Sequence, residues 1–425
     1  MSQRAYARGT ARATGVPAAK RRARRDLCEH ARVRVALDAT PLLGIRTGIG
    51  HYVAHLAAAL AKEPDLEVVL TAFTWRGQSE LRGIQLDLSE TGDGADMGDD
   101  ESDDSDADRA AETSEYRVHS RRAPARLLRL AWSRGRIPPV EMFSGAVDVF
   151  HATNFVLPPT RRAAGVVTIH DLGFVLHAET VDRTSLAYQR LVPRALERAR
   201  VILTPSQAAA DDLVQVYKTD RDRIVVTPLG VDPVWAATTP PSPQWLEAHE
   251  IPPRYLLFIG TLEPRKNVPH LIAAHALLRR EEPNTPPLVL AGAAGWGDVE
   301  FNPDDVVWPG YLPQGDLRRL TAGAAALVLP SRYEGFGLPA LEALACGVPV
   351  VASDIPVLRE VTGGLAQYVP VGDVEALAAT LRITLDADDS GRDERRAWAA
   401  TFTWERCATQ TLAAYRRALG LAKTQ

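Results

Sequence analysis

Two carboxylates eight residues apart, Glu334 and Glu342, stand in one run: Ser331-Arg332-Tyr333-Glu334-Gly335-Phe336-Gly337-Leu338-Pro339-Ala340-Leu341-Glu342. Pro339 suits the opening of a helix, so the run predicts a helix from about Leu338, with Glu334 in the loop before it and Glu342 in its first turn. Gly347 and Pro349 then end the helix and start the next strand. Free amides of Phe336, Gly337 and Leu338 at that helix start suit an anion such as phosphate, and the flanking carboxylates can accept hydrogen bonds from sugar hydroxyls. The helix dipole alone would explain one acid there, but not the whole run.

Three other places carry possible chemistry. Gly260-Thr261-Leu262-Glu263-Pro264-Arg265-Lys266-Asn267 follows a strand pattern. Adjacent cations at a strand's carboxyl end fit a diphosphate, Arg265 by its planar fork and Lys266 as a point charge; a solvated cation pair is the plainer alternative. Gly44-Ile45-Arg46-Thr47-Gly48-Ile49-Gly50 lies between the first strand and helix, where Gly48 and Gly50 either let the backbone approach phosphate or make a tight turn. His170-Asp171 closes another apolar run and reads as a site residue or as a satisfied loop histidine. The other histidines have no metal-ligand spacing.

The elements that must hold these residues alternate. Apolar strand patterns at 32–38, 66–73, 147–152, 166–170, 201–205 and 224–228 are followed by a second series at 255–260, 288–292, 306–311, 326–330, 348–352 and 367–369. Helical patterns separate most of them, such as 185–199, 207–217 and 268–280. Short continuous apolar strands between helices predict parallel sheets covered on both faces, an α/β protein of two doubly wound domains. A Pro-rich stretch at 232–253 is the expected hinge, and ligands of such folds bind at the carboxyl ends of the strands, which here means the cleft between the domains.

Composition sets the outer limits. The chain has 425 residues, 49 Lys+Arg against 53 Asp+Glu, 46% hydrophobic and 24% charged residues, so it is globular rather than wholly disordered. Cys28, Cys346 and Cys407 are too few and too scattered for a disulfide framework or a Cys-rich zinc site. No apolar run approaches the ~20 residues of a membrane span, and no signal-peptide pattern opens the chain. A net charge of −4 speaks against a dedicated nucleic-acid binder, and the expected compartment is the cytoplasm.

That near-balance hides segregated charge. Eight cations and no acid occupy residues 1–25, read as part of a disordered basic arm over 1–31. Eleven acids and no base lie from Asp87 to Asp108, all but Asp87 within a predicted acidic insertion at 88–115 that does not fit a calcium loop. Residues 121–136 interleave six Arg with Leu127, Leu128, Leu130 and Trp132, which suits either a sheet-covering helix or a segment lying on an anionic membrane.

Taken together, the Glu-x7-Glu run, Pro264-Arg265-Lys266-Asn267, Pro228-Leu229-Gly230-Val231-Asp232 and the amino-terminal glycine loop resemble retaining glycosyltransferases of family 4, which have the two-domain GT-B fold. The likeness covers roughly residues 32–86 and 116–420. It implies an acceptor-side domain at 32–234, a nucleotide-sugar-binding domain at 235–403 and a helix from 404 to 425 crossing back to the first domain. By that resemblance Glu334 meets donor-sugar hydroxyls, Glu342 the ribose, Arg265 and Lys266 the diphosphate, and His170 the sugar pocket. Gly48, Gly50, Thr261, Phe336, Gly337 and Leu338 would complete the donor site. Many members carry Arg where this chain has Thr261, which shifts weight onto Arg265.

The wording around Gly260 is similar to a subset rich in mannosyltransferases. The expected donor is therefore GDP-mannose, with a UDP-sugar as the alternative, and the acceptor a saccharide or lipid-linked saccharide of polysaccharide biosynthesis. No cofactor or metal is expected, because cations and helix amides would stabilise the departing diphosphate. Peripheral membrane association is expected from the basic 121–136 segment. Two rival functions are a nucleotide-sugar epimerase of the same fold and a catalytically silent nucleotide-sugar-binding protein.

Overall fold

The computed structural model describes residues 32–44, 48–74, 81, 116–119, 121, 125–135, 137–296, 300–302 and 304–421. The basic arm and the acidic insertion lie outside them, as do Arg46, Arg122 and Arg136.

Two parallel sheets build the molecule. The first contains β1 (Val33–Asp38), β2 (Leu66–Thr71), β3 (Tyr116–Val118), β4 (Val149–Ala152), β5 (Ala164–Thr168), β6 (Val201–Thr204) and β7 (Ile224–Val226), in the spatial order β3-β2-β1-β4-β5-β6-β7. The second contains β8 (Leu256–Ile259), β9 (Leu288–Ala291), β10 (Val306–Gly310), β11 (Ala326–Leu329), β12 (Val350–Ser353) and β13 (Gln367–Val369), ordered β10-β9-β8-β11-β12-β13. Registers such as Val35↔Val68 and Leu257↔Val289 align consecutive strands. β4, β5, β6, β8, β9 and β11 are buried throughout, which explains their unbroken apolar composition: helices cover both faces. In both sheets the order reverses beside the first strand, at β1/β4 and at β8/β11, leaving a crevice at the strand ends.

Counting helices of seven residues or more, the main ones are α1 (Gly48–Ala61), α2 (Ala125–Arg134), α3 (Tyr188–Arg198), α4 (Gln207–Tyr217), α5 (Val268–Glu281), α6 (Gln314–Gly323), α7 (Leu338–Cys346), α8 (Pro356–Thr362), α9 (Val374–Asp386), α10 (Arg392–Ala399) and α11 (Trp404–Leu419). Ser206, Asp373 and Thr403 cap α4, α9 and α11 by accepting from an amide in the first turn.

The last of these, α11, packs against α1, β5 and β6 of the first domain. Tyr415 Oη lies 2.8 Å from His151 Nδ1, and the Trp404 indole stacks on the His55 ring at 4.7 Å. Where the chain leaves each domain, the two crossings run side by side: Val231 N donates to Phe402 O at 3.0 Å. Gly230 is required there, because a β-carbon on it would lie 2.4 Å from the Trp404 nitrogen.

Several expectations need correction. The strand expected at 166–170 ends at Thr168, so His170 stands two residues beyond it, in the turn leading to the cleft. β3 was not expected; three residues give too short a pattern to separate from a loop. Glu342 is the fifth residue of α7 and therefore sits in its second turn, not its first. The Pro-rich 232–253 stretch is not a bare hinge: Trp235 is buried and its carbonyl accepts from Cys346 Sγ at 3.4 Å. Finally, α2 covers the sheet with Leu128 and Trp132, both buried; Trp132 packs edge-on against Phe73 at 5.0 Å and donates to Pro138 O. Those two side chains cannot enter a membrane without leaving the core, whereas Leu127 and Leu130 remain exposed.

Candidate functional site

A cavity of about 490 Å³ opens between the domains at the β8/β11 crevice. The first domain contributes Gly48, His51, Tyr52, His170 and Asp171; the second contributes Thr261, Glu263, Arg265, Lys266, Glu334, Phe336, Gly337, Leu338 and Glu342. Every sequence-derived site residue except Gly50 is at this wall. Helix α1 already starts at Gly48, which turns Gly50 inward as a buried third residue.

The cations and the carboxylate form one linked group. Lys266 Nζ lies 2.6 Å from Glu334 Oε1, and Arg265 bridges Glu334 Oε2 at 3.3 Å and Glu263 Oε1 at 2.6 Å. Ser331 Oγ donates to Glu334 Oε1 at 2.7 Å. Burial pushes the Glu334 carboxyl up, but Lys266 and Arg265 beside it more than offset this and hold it at about 2. Burial pushes the Arg265 guanidinium down, but the carboxylates of Glu334, Asp171 and Glu263 more than offset this and hold it above its ordinary range. Both cations come from a single 3-10 turn, Pro264–Lys266, that Asn267 closes in a left-handed conformation, and Asn267 Nδ2 donates to the Pro330 carbonyl. Glu263 and Ser331 were missed in the sequence, although each lies inside a run already singled out.

Helix α7 presents its amino terminus to the same space. Gly337 takes φ 94°, a conformation that favours glycine, and Pro339 follows in the first turn. The amides of Gly337 and Leu338 precede the first intrahelical hydrogen bond. One turn on, burial pushes the Glu342 carboxyl up to about 8, opposed by Arg318. It keeps partial contact with the cavity, but its surroundings are too apolar to favour the charge.

From the other wall, His170 Nε2 lies 2.8 Å from the Thr153 carbonyl and must donate to it, which leaves Nδ1 as an acceptor. Burial lowers its pKa, only partly countered by that hydrogen bond and Asp171, so the ring is neutral near pH 7.

The domains meet around this cavity. Tyr333 Oη accepts from Leu172 N at 3.0 Å and donates to Asp212 Oδ2 at 2.7 Å, and Ser206 Oγ donates to the Gly335 carbonyl. The Glu360 carboxylate accepts from the amides of Gln207 and Ala208 at the start of α4. A neutral acceptor ring thus faces two cations, two helix amides and two carboxylates, an arrangement able to hold a polyanion and a hydroxyl-rich group side by side.

Comparison with known proteins agrees with this chemistry. Residues 243–400 match the family model for glycosyl transferases group 1, and residues 46–235 match that for glycosyltransferase family 4. The O-antigen chain mannosyltransferase B of Escherichia coli is 36% identical over 289 residues, covering 63% of this chain and 74% of the relative. The MMP alpha-(1->4)-mannosyltransferase of Mycolicibacterium hassiacum is 33% identical over 51% of this chain and 54% of its own length. Among solved structures, the sucrose-phosphate synthase of Thermosynechococcus elongatus superposes with a TM-score of 0.61 at 19% identity, covering 92% of this chain and all of that one. Anabaena HepE, solved in complex with UDP, gives 0.58 at 16% identity over 90% and 98%. Two facing doubly wound domains, both family models in chain order and a relative at this identity identify the chain as a member of the family 4 glycosyltransferases, with the GT-B fold.

Proposed function

We propose that this glycosyltransferase moves a mannosyl group, with retention of configuration, from GDP-mannose to a saccharide acceptor. The observation that carries the reading is the meeting of Lys266, Arg265, Glu334 and His170 in one cleft. In this reading the diphosphate lies between Arg265, Lys266 and the amides of α7, Glu334 and His170 Nδ1 take sugar hydroxyls, and Glu342 takes the ribose. The bond from the anomeric carbon to the diphosphate oxygen breaks. The acceptor oxygen bonds to the same face of that carbon, and its proton passes to the departing diphosphate. Preorganised cations and amides stabilise the leaving charge, so no metal ion enters the reading. The choice of mannose rests on the names of the two relatives. A UDP-sugar is the alternative donor.

The acceptor is proposed to be a growing polysaccharide or a lipid-linked saccharide at a membrane surface. The exposed Leu127 and Leu130, beside the exposed Arg129 and Arg134 of α2, support a peripheral contact with anionic lipid. No helix among the described residues is long and apolar enough to cross a membrane.

A thermal-shift screen of GDP-, UDP-, ADP- and dTDP-sugars in EDTA-containing buffer tests the donor, because a ligand of the native state raises stability by RT ln(1 + [L]/Kd). Donor consumption is then followed with and without a mannoside acceptor. Consumption that needs no acceptor would make the protein an epimerase or hydrolase, and binding without consumption would make it a silent binder. NMR of the product anomeric proton reports retention or inversion.

A further inference from the structure

His151 is buried in β4, and the reading of the cleft makes no use of it. Burial, with His170 nearby, pushes its pKa down to about 3, so the ring is neutral, with one nitrogen donating and the other accepting. Both nitrogens are engaged. Nδ1 lies 2.8 Å from Tyr415 Oη of α11, 264 residues away in the chain, and Nε2 lies 2.7 Å from Thr168 Oγ1 at the end of β5. Thr168 Oγ1 in turn lies 3.0 Å from Tyr52 Oη of α1. Burial raises both phenols above their ordinary range, so each hydroxyl keeps its proton. Tyr415, His151, Thr168 and Tyr52 thus form one continuous line of hydrogen bonds, and all four side chains are buried.

The line ends on His170. The Tyr52 ring meets the His170 ring edge-to-face at 5.1 Å and also lines the cleft. Phe155 meets the same ring edge-to-face at 5.7 Å, from a left-handed backbone with φ 59° that a bulky side chain rarely adopts. Its amide donates to the Thr168 carbonyl at 3.1 Å. Thr168 therefore holds two rings against His170, one through its hydroxyl and one through its carbonyl. The hydrogen bond from His170 Nε2 to the Thr153 carbonyl fixes one atom of the imidazole, and the two aromatic neighbours set its plane. In an interior packed this closely, a displacement at one end of the line is felt at the other.

We infer that Tyr415 and His151 are positioning residues for the transfer site: α11, through His151, Thr168 and Tyr52, sets the plane in which the His170 ring presents Nδ1 to the cleft. The inference rests on the reading in which His170 takes a sugar hydroxyl, and it makes the carboxyl-terminal helix part of what orients that group.

The test uses the full chain with 15N-labelled histidine, in the variants Tyr415→Phe, Tyr52→Phe and the two combined. Thr168→Val, which keeps the side-chain shape, replaces Tyr415→Phe should that variant not fold. Arg200→Met is the control, since the exposed Arg200 ties α11 elsewhere, by donating to the Ala418 carbonyl. Ring 1H–15N spectra are expected to show the His151 and His170 signals shifted in Tyr415→Phe and unmoved in Arg200→Met. With GDP-mannose and methyl α-mannoside, kcat is expected to fall roughly tenfold in Tyr415→Phe while KM for the donor stays within about twofold, because the cations that hold the diphosphate are not touched. Tyr52→Phe should lose as much, and the double variant no more than either single one, as expected of residues acting through one line. A His170 signal that does not move in Tyr415→Phe, or losses that multiply in the double variant, overturns the inference. Full turnover in His170→Ala would instead overturn the role given to His170 in the transfer. The ring spectra need no substrate, so they decide the link from Tyr415 to His170 whichever donor the enzyme takes.

Discussion

Gly335 and His170 come from opposite domains, and a β-carbon placed on Gly335 would lie 2.2 Å from the His170 carbonyl oxygen. The two backbones touch where donor and acceptor would meet. Only a residue without a side chain allows the domains to close this far, and Ser206 Oγ fixes the contact through the Gly335 carbonyl.

Gly335→Ala is therefore expected to hold the cleft partly open. Overpacking of this kind costs about 1–3 kcal/mol, which would appear as a roughly tenfold to hundredfold loss of turnover. Because the clash is between domains, the melting temperature should move little. A variant with full turnover would show that the closed contact is not used in transfer.

Lys266→Ala and Arg265→Ala should each weaken nucleoside-diphosphate binding by about 1.5–3 kcal/mol, the usual loss of a charge-assisted contact. Both also take a partner from Glu334, whose carboxyl then moves up from about 2. In the parent protein that depressed carboxyl contributes stability above the ordinary Glu range near 4.5, lost as pH falls toward 2. Acid unfolding followed by circular dichroism should thus begin at higher pH in Lys266→Ala. Identical acid midpoints would mean that the pair is not formed in solution.

Glu342 works in the opposite direction. Its raised pKa means that the native state holds a proton that the unfolded chain releases, so this group makes stability fall as pH rises from about 4.5 to about 8. Glu342→Gln should flatten that slope and raise stability at pH 8 relative to pH 5. It should also weaken nucleotide binding. Denaturant titrations at the two pH values check the first effect, and an unchanged slope would place the carboxylate in contact with solvent.

Deleting residues 88–110 should leave fold and turnover nearly intact. β2 and β3 run parallel and need a crossover of about a dozen residues; 72–87 and 111–115 still supply it. A drop of more than a few degrees in melting temperature would show that the segment packs on the domain.

How much of this was legible in the sequence differs by residue. Arg265, Lys266, Glu334 and the α7 start were readable because their chemistry is local: one strand end, one turn, one helix start. Twelve strand patterns appeared for the same reason, most of them short apolar runs that are buried in the sheets. Gly50 was misplaced because a glycine loop does not show where its helix begins. His151 and Tyr415 carried no local signal at all; only the return of α11 onto the first domain brings them together. The inward face of α2 was half legible, since its Arg and Leu residues suit a sheet or a membrane alike until Trp132 is seen against Phe73.

Helix α11 covers β5 and β6 of a domain whose other strands end at Val226. During synthesis, residues 227–403 must emerge before Trp404–Leu419 can dock. The amino-terminal domain thus waits on the ribosome with an uncovered sheet face, and with His151 Nδ1 still lacking the Tyr415 hydroxyl, while the domain after it is made. The second domain is complete first in its own elements, and the first is finished last. Order of assembly thus runs against order in the chain, and the uncovered face is where a chaperone would be needed most.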